Sequence, residues 1–419
     1  MSSKSPLNTI NDMISILENT SNVDSKEDII QTDMNGTQPS KKSKKSKKKY
    51  EEKIDLNDGR IPGTLPNNCD LSLDERYKIG MTVGEECIES NELKELLQKS
   101  KFRPIAYDGF EPSGRMHIAQ GILKAICVNK LTKIGCDFTF WVADWFALLN
   151  NKMGGDINKI RDVGNYMIEV WKAAGMDMDH VYFRWASDDI NNNSNEYWLR
   201  VIEISKLFSI TRVKRCCTIM GREESDDMPT ANLMYAAMQC ADIFFLRASI
   251  CQLGMDQRKV NMLAREYAKK KGIKPPIIMS HHMLMGLKEG QVKMSKSVKD
   301  SAIFMEDSVD DVNRKIKKAY GPPGVIKDNP LLDYTKHIIF GKFGTFTIER
   351  KDKNGGNITY NNYIDLENDY KNEKLHPGDL KPALAKAINA LLEPVRQHFK
   401  KDQRAKKLLA KVKKYRITR

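Results

Sequence analysis

Ile105-Ala106-Tyr107-Asp108-Gly109-Phe110-Glu111-Pro112-Ser113-Gly114-Arg115-Met116-His117-Ile118-Ala119-Gln120-Gly121 is the stretch on which the fold turns. Ile105-Ala106-Tyr107 reads as the end of a strand, the Gly/Pro/Ser-rich run after it as a turn, and the apolar-periodic continuation from His117 to Ile134 as a helix. Working outward, the alternation continues. A buried strand is predicted over Phe138–Ala143, a helix over Ile157–Ala174, and strands over Val181–Trp185 and Ile277–Met279. Strands alternating with helices predict an α/β architecture built on a doubly wound parallel sheet, in which ligands bind beyond the carboxyl ends of the strands. After Ser308 helical periodicity dominates, as in Val309–Tyr320 and Leu380–Phe399, which predicts a second, mainly helical domain. The expected divisions are 1–55, 56–305 and 306–419.

The chain of 419 residues is longer than one ordinary domain. Apolar residues make up 40% and charged residues 30%, the balance of a globular protein, and no apolar run reaches the roughly 18 residues of a membrane span. Met1–Leu17 lacks the features of a secretory signal, so the expectation is a protein kept inside the cell, away from membranes. The eight cysteines are scattered and form no C-x-x-C pair, which signals neither a zinc site nor a disulfide framework. A formal charge of +14 favours a polyanionic partner, although part of the excess sits in the run Lys41–Lys49. Residues 1–55 have too few apolar positions to offset chain entropy and are expected to be disordered. Their lysine run reads equally as a solubilising tail, a nuclear address or a loose hold on nucleic acid.

Three segments carry chemistry. The turn before His117 delivers an imidazole at a helix start, where backbone N–H groups and the positive helix end can face a phosphate; a capped helix with a surface histidine has the same sequence. Lys293-Met294-Ser295-Lys296-Ser297, after Gly290, sets two ammonium groups and two hydroxyls on a loop that could close over a polyphosphate. In Tyr235-Ala236-Ala237-Met238-Gln239-Cys240-Ala241-Asp242 the phenol, amide and carboxylate fall at i, i+4 and i+7, on one helical face. Leu233-Met234 and Ile243-Phe244-Phe245 on either side argue for burial of that face over exposure, and buried polar groups need partners.

The first two segments, in this order and bracketing the alternating stretch, resemble the signature pair of class I aminoacyl-tRNA synthetases. The first departs from the family's usual His-Ile-Gly-His, reading His117-Ile118-Ala119-Gln120. The third resembles the tyrosine pocket of tyrosyl-tRNA synthetases of the eukaryotic and archaeal type, and Gly254-Met255-Asp256-Gln257-Arg258-Lys259 resembles the loop that follows it. The tryptophanyl branch carries no carboxylate where Asp242 stands. The resemblance runs from Leu71 to Phe399. It implies a Rossmann-like catalytic domain with a connective insertion, followed by a mainly helical anticodon-binding domain.

The resemblance also implies roles. His117, Lys293 and Lys296 would meet charge on the phosphates of ATP, with Gly114, Gln120, Gly254, Asp256 and Ser295 completing the ATP site and Asp256 near the ribose. Tyr235, Gln239 and Gln257 would hold the ammonium group of L-tyrosine, while Asp242 with Tyr107 would receive its phenol. His376 would stack on an anticodon base of tRNA(Tyr) and Asp379 would accept its edge hydrogen bonds; Asn354 stands where some relatives place an aromatic. The implied reaction is tyrosine activation by ATP, then transfer to the terminal adenosine of tRNA. Mg2+ would be held by phosphate and water, with no protein-held metal. A cytoplasmic homodimer is implied; the resemblance does not reach the amino-terminal tail, where nuclear access through Lys41–Lys49 stays one of the readings of the lysine run.

Overall fold

Six strands form one sheet in the order β1-β6-β5-β2-β3-β4. They are β1 Glu86–Ile88, β2 Ile105–Phe110, β3 Asp137–Val142, β4 Val181–Trp185, β5 Ile250–Gly254 and β6 Ile277–His281. β1 runs antiparallel to β6, and the other pairs are parallel. β2 pairs with β3 on one side and β5 on the other, so the winding reverses at β2 and a crevice opens beyond the ends of β2 and β5. The structure is a computed structural model that describes residues 57, 59–217, 228–294, 298 and 300–415. The tail over 1–55, and Ser295, Lys296 and Ser297, lie outside the described residues.

The predicted strands are present, with one shift that matters. β2 continues three residues past Tyr107, through the predicted turn, because Asp108 is held in the strand by an ion pair with Lys124 rather than turned out to water. The predicted helix from His117 also divides: Ala119–Leu123 forms a π-helical turn that passes into α1, Lys124–Lys133. All six residues of β3 are buried, as expected of a strand covered on both faces. Alternation sends Phe140 to one face, where it stacks on Trp171 (4.3 Å) and Phe183 (5.4 Å). Trp141 goes to the other face and meets Phe245 edge-on at 6.0 Å.

The first face is covered by α1 and α2 (Ile157–Ala173), the latter started by Asp156, whose carboxylate accepts from the amides of Asn158 and Lys159. The second face is covered by α3 (Ser194–Leu207), α4 (Thr230–Phe245) and α5 (Arg258–Lys271). The later part of the chain is mainly helical. It contains α6 (Val309–Lys318), α7 (Pro377–Lys401) and α8 (Gln403–Val412), plus a hairpin of β7 (Phe346–Ile348) and β8 (Ile358–Tyr360) that the helical periodicity does not signal. α8 packs back onto α2, and Asp55–Arg419 forms one compact unit.

One charge pair is walled into the sheet. Arg103 donates through Nε to Asp137 Oδ1 (2.9 Å) and through Nη2 to the carbonyls of Thr132 and Cys136 (2.8 Å each), while Asp137 Oδ2 accepts from the Gly63 amide (2.8 Å). The Asp137 side chain has no exposed surface and Arg103 is buried. Removing one member of such a pair leaves an uncompensated charge. Arg103→Met is therefore expected to lower the unfolding free energy by about 3–5 kcal/mol, read from the denaturant midpoint, whereas a change within about 0.5 kcal/mol would mean that the pair contributes nothing.

Candidate active site

A cavity of about 490 Å³ opens at the winding reversal, within the range of small-molecule sites. Two sets of side chains line it. The first comprises Tyr107 from β2, Trp141 from β3, and Tyr235, Gln239 and Asp242 from α4. The second comprises His117 and Gln120 from the segment after β2, Gly254 at the end of β5, Asp256 and Gln257 just beyond it, and Lys293.

The first set is dry. α4 is buried at each residue from Tyr235 to Ile243, so its polar face looks into protein, not water. Asp242 lies 1% exposed and accepts a hydrogen bond from the Tyr197 hydroxyl at 2.7 Å. Burial pushes its carboxyl well above the usual carboxylate range, against the opposing pull of that bond. The Trp141 indole N–H lies close by without reaching hydrogen-bond geometry. The Tyr107 hydroxyl is buried without a hydrogen-bond partner among the described residues, and so is Gln239 Oε1. Burial and then the neighbouring Asp242 raise the Tyr107 phenol well above its usual range. Gln239 Nε2 donates to Gln257 Oε1 at 3.1 Å, which joins α4 to the segment after β5. Gly109 keeps this space open: a Cβ there would lie 3.1 Å from the Tyr107 hydroxyl.

Three residues of this region escape sequence reasoning. Tyr197, from α3, satisfies Asp242 from a helix with no motif. Glu111 accepts from Asn150 Nδ2 at 3.1 Å on both carboxylate oxygens and, after burial, is the main cause of the raised Tyr235 phenol. Lys124 is the third: its ammonium pairs with Asp108 and donates to the Gln252 carbonyl (2.9 Å) and to Gln252 Oε1 (2.7 Å). Burial raises Asp108, Lys124 partly offsets that, and nearby Asp256 adds to it. The available signal was a lone lysine in the apolar run Ile122-Leu123-Lys124-Ala125-Ile126, and a lone aspartate inside a strand.

The second set collects polar groups at strand ends. Gly114 adopts φ +122°, a conformation that favours glycine and lets the turn deliver His117. The Gln120 amide approaches His117 Nδ1 at 3.4 Å, while Gln120 Oε1 is buried and unpartnered among the described residues. Asp256 is raised by burial and lowered by Lys293, the cation nearest it in effect. The His117 segment is bound to the far side of the lysine loop: Ile118 N–H donates to the Ile303 carbonyl and Met305 N–H to the Met116 carbonyl, each at 2.9 Å. Arg115 adds ion pairs to Glu306 and Asp307 and covers the Phe304 ring at 4.2 Å. The sequence-predicted residues with described positions in the catalytic region therefore converge, except that Gly114 is not among the cavity-lining residues.

His376 and Asp379 lie elsewhere, at the start of α7. His376 is the N-cap, its Nδ1 accepting from the Gly378 amide at 3.0 Å, and Asp379 accepts from Asn354 Nδ2 at 3.1 Å. The His376 side chain thus starts the helix, while Asp379 ties it to the segment between β7 and β8.

Comparison with known proteins bears on this geometry. The family described as tRNA synthetases class I (W and Y) matches residues 99–393. The chain is 58% identical over 350 residues to tyrosine–tRNA ligase 1, cytoplasmic, of Arabidopsis thaliana, covering 83% of this chain and 90% of that protein. Among solved structures it is similar to Leishmania major tyrosyl-tRNA synthetase in complex with tyrosinol, with TM-score 0.78 and 52% identity, covering 83% of this chain but 53% of that one. Pyrococcus horikoshii tyrosyl-tRNA synthetase complexed with L-tyrosine superposes with TM-score 0.76 at 34% identity, covering 81% and 100%.

The raised Asp242 carboxyl has a stability consequence with a defined sign. A folded-state value above the unfolded one costs nothing below the ordinary carboxylate range, where both states are protonated, and costs progressively more as pH rises through it. Asp242→Asn, which can still accept from Tyr197, is expected to be more stable than wild type at pH 7 and equal to it near pH 3. Denaturant titrations at the two pH values test this; a variant less stable at neutral pH would show that the ionised carboxylate is well compensated.

Proposed function

The chain belongs to the class I tRNA synthetases for tryptophan and tyrosine, and we infer from its cavity that it acts as a tyrosine–tRNA ligase. The observation that carries this reading is the dry pairing of Asp242, a buried acceptor, with Tyr107, a hydroxyl lacking a partner among the described residues. A plain phenyl ring offers nothing to such a pair, and an indole N–H can donate to the carboxylate but cannot accept from Tyr107. A phenol donates to the carboxylate and accepts from Tyr107, so both buried groups gain a partner. The substrate ammonium faces Tyr235, Gln239 and Gln257, with Glu111 behind Tyr235 supplying the negative charge.

Enzymes of this family use ATP. Its phosphates fit against His117, Gln120 and Lys293, and its ribose against Asp256 beyond Gly254. The tyrosine carboxylate attacks the α-phosphorus and pyrophosphate leaves; the tyrosyl group then passes to the terminal adenosine of tRNA. No side-chain nucleophile is needed. Alignment and cationic stabilisation of charge on the phosphates lower the barrier. Ser295 and Lys296 complete the loop in this reading, with Gly114 shaping the turn. Mg2+ accompanies ATP on phosphate oxygens and water: three of the cavity's four carboxylates, Asp108, Glu111 and Asp242, are engaged with Lys124, Asn150 and Tyr197, which leaves Asp256 without the neighbours that a protein cage would need.

The remaining roles follow the same reading. Residues 56–305 form the catalytic domain and 306–419 the domain that reads tRNA(Tyr), with His376 stacking on an anticodon base and Asp379 beside it. A second copy of the chain covers α3, where Leu199 and Ile202 are 57% and 54% exposed, as is Ile210 at 72% shortly after. The Arabidopsis relative is named cytoplasmic, and no helix among the described residues is long and apolar enough to cross a membrane. We place the protein in the cytoplasm, with Lys41–Lys49 as a means of nuclear entry.

The test is ATP–pyrophosphate exchange with each amino acid: tyrosine alone should support it, and exchange driven by tryptophan would overturn the assignment. His376→Ala should leave that exchange unchanged while lowering the rate of tRNA charging at least tenfold. It should also lose about 1 kcal/mol of stability through the missing cap. Equal loss of exchange and charging would make His376 a structural residue only.

A further inference from the structure

At the rim of the reaction cavity, whose lining includes His282, a cluster of titratable groups is built on this histidine, the residue after β6. Its Nδ1 lies 2.5 Å from Glu85 Oε1 and its Nε2 lies 2.6 Å from Asp333 Oδ1, so both ring nitrogens face carboxylates. The ring stacks on His337 with centroids 3.9 Å apart and planes 9° from parallel. Glu85, His282 and His337 are close enough together to suggest a cation site. The stacking argues against one. Lone pairs lie in the ring planes, so two parallel rings cannot both aim at an ion about 2 Å from each nitrogen. A proton on each nitrogen of His282 satisfies both carboxylates directly.

The cluster ties together three parts of the chain. Glu85 leads into β1, where its amide donates to the Ser280 carbonyl at 2.9 Å. Asp333 sits in the short helix Pro330–Tyr334 of the later part of the chain; its Oδ2 accepts from the Met285 amide at 2.9 Å, while the Tyr334 hydroxyl donates to the Met285 carbonyl at 2.9 Å. Between them runs the segment after β6, and this segment is the base of the phosphate loop. Met283 and Leu284 line the reaction cavity, and the Met294 amide, next to Lys293, donates to the Leu284 carbonyl at 3.1 Å.

Resting on the synthetase reading, we propose that His282 and Asp333 are positioning residues for amino-acid activation: the doubly protonated imidazole, clamped between Glu85 and Asp333, fixes the segment from which Lys293 reaches the ATP phosphates. Neither residue belongs to the machinery that touches substrate in the scheme above. Asp333 acts through His282 and through the Met285 amide, from outside the sheet.

The electrostatics agree with the geometry. Burial lowers the His282 pKa, but Asp333 and Glu85 outweigh it and the net shift is upward. His337 goes down to about 4 through burial and the neighbouring His282 charge, with Lys336 and Lys130 adding to the effect and Asp333 opposing it, so it is the neutral ring of the stack. His281, also beside His282, is held well below the usual range, chiefly by burial. A raised histidine holds its clamp below its folded pKa and releases it as pH rises through that value.

The experiment uses the full chain carrying Asp333→Asn, which keeps an acceptor for the Met285 amide but removes the charge. Pyrophosphate exchange is measured from pH 5.5 to 9, with tyrosine binding followed separately. At pH 7.5 the variant should show kcat lowered about tenfold, tyrosine affinity within twofold of wild type, and an alkaline loss of rate at lower pH than wild type. Glu85→Gln, at a half-exposed position, should move the alkaline loss in the same direction by less and provides the same readout should the first variant fold poorly. Variants whose pH profile matches wild type, or in which rate and tyrosine affinity fall together, would overturn the proposal. Wild-type protein that supports no tyrosine-dependent exchange would instead sink the synthetase reading on which it rests.

Discussion

Burying one carboxylate beneath the second face of a parallel sheet is the constraint around which this protein is arranged. Asp242 cannot be left in an apolar wall without a donor, because an unpaired buried charge costs several kcal/mol even after relaxation. The chain supplies one donor, Tyr197, from a neighbouring helix, and sets a second hydroxyl, Tyr107, across the space with no partner of its own among the described residues. Both groups are held in place: Tyr107 by pairing of β2 with β3 and β5, and Asp242 by a helix buried without a break from Tyr235 to Ile243.

The same logic recurs in the half of the cavity lined by His117, Asp256 and Lys293. Asp108 and Asp256 are both raised by burial, and Asp256 adds to the rise at Asp108; Lys124 beneath one and Lys293 beside the other offset this. Strand ends are where such groups can converge, since parallel winding brings the carboxyl ends of β2, β5 and β6 to one edge. The pairing of Met116–Ile118 with Ile303–Met305 then ties the first signature segment to the chain that follows the lysine loop by backbone hydrogen bonds.

Much of this was legible in the sequence. The sheet's alternation is visible because Phe138, Phe140, Trp141 and Val142 make most of β3 apolar and its flanking helices keep their period. The face carrying Tyr235, Gln239 and Asp242 is legible from spacing and apolar neighbours, and its burial follows. What escapes is what depends on long-range contact. β5 contains a buried glutamine, and the reach of Lys124 across to Gln252 exists only once α1 is laid on the sheet. Tyr197 and Asp333 lie in stretches without a motif, and nothing local distinguishes them from any other tyrosine or helix-start aspartate. The extension of β2 past Tyr107 is missed for the same reason: Asp108 looks like a turn residue until its buried partner is known.

The central claim is that the buried carboxylate selects its ligand by the hydroxyl it offers. Its most direct test compares kcat/KM for tyrosine and phenylalanine in pyrophosphate exchange, wild type against Asp242→Ala. The account predicts that the ratio narrows by about 1.5–3 kcal/mol, the worth of a hydrogen bond to a charged group, with the loss falling almost wholly on tyrosine. A ratio that stays the same while both activities decline together would contradict it.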